Sequence, residues 1–263
     1  MTNSSATPAE DHVSTIDTSV PHSARVWNYW LGGKDNFAVD REAGDRVRAV
    51  FPAIVDNARA QRAFLGRAVR YLAAECGIRQ FIDLGTGLPT ADNTHEIAQT
   101  LAPESRVVYV DNDPLVLVHA RALLTSSPEG ATDYIEADVR DPDKVLREAA
   151  RVLDLEQPVA VIMLGILGNI PDYDDTLAVV ARFVEAVPSG SYVVINDGTD
   201  ASDEITEGAK VSHGYVLRKP AEIARYFDGL ELADPGLVAT TRWRAEAADS
   251  AQLDGMGGVA RKP

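Results

Sequence analysis

The sequence has a single cysteine, Cys76, in 263 residues. No intrachain disulfide is available to it, which excludes a secreted disulfide-built fold. Cys76 follows Leu72, Ala73 and Ala74 and precedes Gly77, the setting of a packed thiol near a helix end. Positive charge is also scarce: 25 Lys and Arg stand against 40 Asp and Glu, a formal net charge of -15. Such a chain repels phosphate backbones and anionic headgroups, and no Lys/Arg block compensates. Nucleic acid and membrane surfaces are therefore poor partners, and the acidity is read as solubility. No apolar run is long enough to span a bilayer. The segment from Met1 to Val20 is polar and lacks the apolar centre of a signal peptide, so a cytoplasmic protein is expected. Metal-ligand spacing is absent, and Asp172, Asp174 and Asp175 stand together as a helix N-terminus would place them.

What is present is alternation. Residues 1–20, rich in Ser, Thr, Asp and Ala, read as a loose tail, and residues 21–263 as a single domain. Within it, 21–77 is a helical cover and 78–263 the core. Val26, Tyr29 and Trp30 recur at helical spacing before Gly32-Gly33 interrupts them. Phe64, Leu65, Ala68, Val69, Tyr71 and Leu72 form the stripe of a longer helix that ends by Gly77. Strands are then expected at 81–84, 107–110, 134–137, 159–164 and 192–195. Helices are expected at 90–101, after Asp113-Pro114, after Asp141-Pro142, and at 176–187. Pro at the first helical position after an Asp cap is a good start signal. A short helix at 221–227 and a terminal hairpin within 237–262 complete the reading. This is a doubly wound α/β fold with a mostly parallel sheet.

Ligands of open α/β sheets bind at the carboxyl ends of the strands. The first expected strand carries Asp83 and runs into Gly85-Thr86-Gly87-Leu88-Pro89. Glycines let this loop turn tightly and approach a ligand, and the helix beyond offers free N–H groups. The third glycine of a dinucleotide fingerprint is missing, and Pro89 disfavours a pyrophosphate cradle. After the second strand comes Asp111-Asn112-Asp113, where Asp111 is placed to accept both ribose hydroxyls while Asp113 caps the next helix. After the third comes Asp138-Val139, an acceptor for an adenine amino group beside an apolar contact for the ring. Acidic strand ends of this kind suit an adenosine without phosphate and repel a pyrophosphate.

On these residues the chain resembles the actinobacterial S-adenosylmethionine-dependent methyltransferase family long catalogued as a domain of unknown function. The resemblance covers nearly the whole chain. It is carried by the run from Pro21 to Phe37 with Trp27-Asn28-Tyr29-Trp30-Leu31-Gly32-Gly33-Lys34-Asp35-Asn36, by Arg79-Gln80-Phe81-Ile82-Asp83, by Thr90-Ala91-Asp92-Asn93, and by Gly257-Gly258-Val259-Ala260-Arg261-Lys262-Pro263. It implies a class I, Rossmann-like, seven-stranded sheet whose last strand inserts antiparallel. It implies S-adenosylmethionine as cofactor and methyl transfer to a small molecule, in actinobacterial secondary metabolism. By this likeness Gly85 and Gly87 face the methionine part, Asp111 and Asn112 hold the ribose and the neighbouring adenine edge, Asp138 and Val139 hold the adenine, and Asp83 belongs to the cofactor site. Leu164, Gly165 and Ile166 border the sulfonium. The 32–36 segment, with Gly33, closes over the cofactor, and Arg25, Tyr29 and Asn36 contact its carboxylate or close the pocket.

The sequence departs from the family at two places. Leu167-Gly168-Asn169 stands where members often have Leu-His-Phe, and Asn196-Asp197-Gly198 where they often have Ser-His. Asp197, Asn169 and Tyr29 are then the catalytic candidates: Asp197 as a base or to orient an amine, Asn169 to position substrate. His95 and His119 fall inside expected helices, and His213 is a candidate for the pocket mouth. In-line positioning on a sulfonium supplies much of the acceleration without a base. Three alternatives stand beside methyl transfer: elimination or cyclisation on the same fold, cofactor binding without catalysis, and, more distantly, nicotinamide oxidoreduction. The acceptor pocket is expected between the N-terminal helices and the segments after the fourth and fifth strands, and its few basic residues disfavour a highly anionic acceptor. A homodimer is compatible with the sequence.

Overall fold

Short runs of β-branched and aromatic residues, buried on both sides except in the half-buried edge strand β3, make the centre of the molecule: β1 (Gln80–Leu84), β2 (Arg106–Asp111), β3 (Ala131–Glu136), β4 (Ala160–Leu164) and β5 (Tyr192–Gly198). They pair in parallel in the order β3-β2-β1-β4-β5. The order reverses beside β1, so the loops after β1 and β4 diverge there and leave a crevice at the carboxyl edge. The computed structural model describes residues 16–90, 92–123, 125–200, 202–212, 214–245, 253 and 255–263.

Successive strand residues point to opposite faces and bury different helices. On one face Val108, Val161, Met163 and Ile195 pack with α6 (Pro142–Ala149), α7 (Tyr173–Ala186) and α9 (Pro220–Arg225). On the other, Phe81, Val107, Ile162 and Val194 meet α3 (Ile54–Ala74), α4 (Thr94–Leu101) and α5 (Pro114–Leu123). The Asp-Pro starts hold, since α5 and α6 begin at Pro114 and Pro142. Asp172 caps α7 by accepting the Asp175 N–H at 3.0 Å. The expected helix at 90–101 begins at Thr94 instead, because the Glu96 carboxylate accepts the Asn93 N–H at 2.8 Å and fixes the start there.

The terminal strand, β8 (Gly255–Arg261), runs antiparallel to β5, as the family resemblance implies. The sheet has eight strands among the described residues rather than seven. Its edge is divided into two short strands, β6 (Glu231–Leu232) and β7 (Val238–Ala239), both paired with β8. One further helix, α8 (Asp203–Val211), lies where no element was expected. Ser202 caps it, its hydroxyl accepting the Ile205 N–H at 3.3 Å.

The expected helical cover consists of α1 (Ser23–Trp30), α2 (Ala38–Val50) and the start of α3. Val26, Trp30, Val47, Phe51 and Ile205 form a separate apolar cluster that joins α1 and α2 to α8. Of the expected tail, residues 16–20 are described, and they are tied down. The Arg25 guanidinium donates to the carbonyls of Asp17 at 2.9 Å and Val20 at 3.2 Å, and Ile16 packs near Leu88 and Leu115. No described helix is long and apolar enough to cross a membrane.

Candidate active site

The β1–α4 loop is built for close approach. Gly85 and Gly87 have φ of +66° and +68°, a conformation that a Cβ would strain. Gly85 and Thr86 donate to the Val110 carbonyl at 2.8 and 3.2 Å, which ties the loop to β2. Asp111 closes the arrangement from the end of β2. One of its oxygens accepts the Gly87 N–H at 2.9 Å and the other the Asp113 N–H at 3.0 Å. A carboxylate has about four lone-pair directions, so both oxygens keep capacity toward a ligand.

The cleft over this loop is an open space of about 1180 Å³, including its mouth. Asp83, Gly85, Gly87, Asp111, Asn112, Asp138, Val139, Leu164, Gly165, Ile166 and Asn169 all line it. The structure thus brings the strand-end residues together around one space. Asp83 is buried, with its carboxylate accepting the Thr94 hydroxyl at 2.6 Å, and burial pushes its pKa up to about 6. Burial also raises Asp111. Asp138 is shifted the other way by the Arg140 guanidinium that bonds it from the rim. Arg62 and Arg140 are the cationic side chains of the lining.

The N-terminal motif serves a different purpose from the one expected. Arg25 is buried, its Nε 3.2 Å from Asp113 and 3.7 Å from Asp40, and it does not line the cleft. Its charge is consumed in holding α1 to the loop after β2. Tyr29 turns outward and donates to Asp45 at 2.7 Å. Gly33 and Asn36 also lie outside the lining. The Asn36 amide instead donates to Asn28 Oδ1 at 2.9 Å and to the Gly33 carbonyl at 3.0 Å. Asn28, not singled out in the sequence, organises the segment. It is buried, lines the cleft, and also accepts the Asp35 N–H at 3.1 Å.

Gln61 and Arg62 were missed for another reason. They sit on α3, whose apolar stripe was visible, but which polar residue overhangs the crevice depends on how the helix lies across the sheet. Gln61 Nε2 donates to Asn196 Oδ1 at 2.6 Å, where α3 crosses the end of β5. Here a second cavity opens beneath α1 and α2, and Ser23, Trp27, Gln61, Gly165 and Asn169 line both spaces. Asp197 does not reach either one. It is buried, accepts the Tyr215 hydroxyl and the Gly198 N–H, and burial raises its pKa to about 6. Tyr215 covers it, so the expected role as a base in contact with substrate does not fit the geometry. His95 bonds the Tyr109 hydroxyl at 2.8 Å inside the core. His119 stands 3.8 Å from Asp35, and His213 lies outside the described residues. Among the described residues no cluster of His, Cys, Asp and Glu could hold a metal.

A parallel sheet wound on both faces, an antiparallel last strand beside β5 and a carboxylate-lined cleft at the switch point define a class I methyltransferase fold. The model of the S-adenosyl methyltransferase family matches residues 9–263, and the chain belongs to that family. It is a methyltransferase whose cofactor is S-adenosylmethionine. The chain is 46% identical to a DUF574-family protein from Streptomyces avermitilis, covering 95% of this chain and 100% of that one with a TM-score of 0.90. A Thermobifida fusca protein provisionally named a methyltransferase is 40% identical, over 94% of this chain and 96% of that one, with a TM-score of 0.87. The N-methyltransferase NodS from Bradyrhizobium japonicum, 15% identical over 79% of this chain and 97% of its own, shares the fold at a TM-score of 0.51. No curated protein matches the chain.

The lining fits this cofactor by its donor set. Buried Asp83 and Asp111 favour hydroxyl, ammonium and sulfonium groups over phosphate.

Proposed function

We propose that this enzyme methylates a small molecule, with the cofactor in the β1-side cleft and the acceptor in the adjoining cavity. The observation that carries the reading is the junction: the two spaces share Gly165 and Asn169 beside the residues assigned to the sulfonium. In this reading Asp111 and Asn112 hold the ribose, Asp138 and Val139 the adenine edge, and Asp83, Gly85 and Gly87 the methionine part. Arg62 takes the carboxylate role first assigned to Arg25. Leu164, Gly165 and Ile166 shape the wall beside the reacting centre, and Asn169 orients the acceptor.

Bound S-adenosylmethionine supplies an electrophilic methyl group. The protein then has to hold the acceptor in line and keep water away. Trp27 and Leu31, both lining the cleft, serve the second task from α1. Asp197 acts through Tyr215 as a positioning residue. Elimination or cyclisation would need an acid or base facing the substrate; among the described residues the titratable side chains lining the second cavity are His22 and Tyr215, and both are held by protein partners.

The test is calorimetric titration with S-adenosylmethionine and S-adenosylhomocysteine beside Asp111→Ala. Removing a charged acceptor of two ligand hydroxyls costs about 1.5–3 kcal/mol, roughly a tenfold to hundredfold loss of affinity. Binding by the parent and that loss in the variant support the site. Failure of a folded parent to bind either compound overturns it.

A further inference from the structure

The second cavity is an open space of about 1040 Å³ with a chemical character unlike that of the first. Trp27, Trp30, Phe51, Ile54, Tyr215 and Leu217 supply much of its wall. Trp27 and Trp30 meet edge to face, their centroids 5.5 Å apart. Among the described residues the titratable lining side chains are His22 and Tyr215, and both are engaged. His22 Nδ1 stands 3.2 Å from Asp113 and accepts the Ala24 N–H at 3.3 Å. The Tyr215 hydroxyl donates to Asp197 and lies 3.4 Å from the Gly198 nitrogen. Polar groups gather at the inner end, where the amides of Asn57, Gln61, Asn169 and Asn196 line the cavity.

Tyr215 occupies its place because of a glycine. A Cβ on Gly168 would stand within 2.7 Å of the carbons at the hydroxyl end of the Tyr215 ring, so any other residue there displaces the ring. The Val216 N–H donates to the Gly168 carbonyl at 2.7 Å and holds the two segments together. Gly168 thus does more than remove a side chain. It admits an aromatic ring to the cavity wall.

We propose that this cavity takes an electrically neutral acceptor with a flat aromatic body, and that Tyr215, seated by Gly168 and Asp197, is its specificity-determining wall. The inference rests on the methyltransferase reading above. Aromatic walls favour a flat ring system, and a charged ligand would be stripped of water with no Asp, Glu, Lys or Arg of the described lining to meet it. The amides receive the heteroatom to be methylated, beside the junction with the cofactor cleft.

The test uses naphthol and naphthoate, matched rings that differ in charge, titrated into the full chain saturated with S-adenosylhomocysteine. Calorimetry and tryptophan fluorescence report binding, since Trp27 and Trp30 line the cavity while Trp243 is buried elsewhere. Naphthol is expected to bind about tenfold or more tighter than naphthoate, a difference of about 1.4 kcal/mol or more. Gly168→Ala is expected to weaken naphthol about tenfold and leave S-adenosylhomocysteine affinity unchanged. Should that variant not fold, Leu217→Lys, at a half-buried wall position, is expected to reverse the preference toward naphthoate. Equal or preferred binding of naphthoate by the parent overturns the proposal, as does binding of neither probe by a protein that still binds S-adenosylhomocysteine. Loss of S-adenosylhomocysteine binding itself would instead overturn the underlying function.

Discussion

Asp83, Asp111 and Asp197 are buried carboxyls at the ends of strands, and each is raised by desolvation. Their tasks differ because their neighbours differ. Asp111 and Asp83 face the cleft, whereas Asp197 faces a tyrosine. For Asp197 the folded-state pKa of about 6 exceeds the ordinary 3.8. The folded state therefore holds the proton more tightly, and this group's contribution to stability falls as pH rises from about 4 to 6, then levels. Between pH 5 and pH 8 the fall amounts to about 1 kcal/mol. Asp197→Asn should remove that component: urea denaturation at the two pH values is expected to show a gap smaller by about that amount than in the parent. An unchanged gap would show that Asp197 titrates normally. The sequence marked Asp197 through its neighbours after a strand, but it could not show that Tyr215, 18 positions on, would cover it.

At the scale of elements, α1 is the piece whose role changed most between sequence and structure. Its motif is distinctive, and it was read as a ligand-contacting segment. The structure spends much of it on attachment. Arg25 lies between two buried carboxylates, Asp40 and Asp113, and Asp113 in turn donates its N–H to Asp111. The cover is thereby tied to the loop that presents the ribose-binding candidate. Arg25→Ala would leave buried charge without its partner, a change that costs about 3–5 kcal/mol. Urea denaturation should register most of this loss. Limited proteolysis should also cut the segment before α1 faster, because Arg25 holds the Asp17 and Val20 carbonyls. A loss below about 1 kcal/mol, the range of an exposed pair, would overturn this reading of Arg25 as a buried ion-pair partner. The elements built from local signals were legible beforehand: the Asp-Pro helix starts, the strand cores and the glycine turn. The α4 start moved by one turn because a single side chain, Glu96, decides it. The terminal hairpin expected within 237–262 is β7 paired with β8, and the eighth strand, β6, was not visible because a two-residue strand exists only by pairing with β8.

For the whole molecule, the cover and the sheet meet across the ligand sites. Helices α1 and α3 and the ends of β1, β4 and β5 all contribute to the two cavities. A ligand that bridges them stabilises the folded chain by mass action. At about one hundred times its dissociation constant, S-adenosylhomocysteine should add about 2.7 kcal/mol. For a chain of this size that corresponds to a rise in Tm of roughly 5–10 °C. Thermal unfolding monitored by circular dichroism measures it, and no shift at saturating ligand would contradict a cofactor site spanning cover and core.

By itself the sequence determined what depends on neighbours a few residues away. Strand and helix alternation, helix caps, the Gly85–Gly87 turn and the acidic strand ends all follow from backbone sterics, capping hydrogen bonds and side-chain periodicity, which act locally. The convergence of Asp83, Asp111 and Asp138 on one cleft follows from them, because parallel strands bring their carboxyl ends to one edge. Only the tertiary structure decided which polar groups would be used up before a ligand arrives. Arg25 and Tyr29 find Asp113 and Asp45 instead of the cleft. Gln61 finds Asn196 across 135 positions. Tyr215 finds the space left by Gly168. Such pairings depend on how helices lie across the sheet, and a buried charge or hydroxyl takes the partner that packing puts within reach.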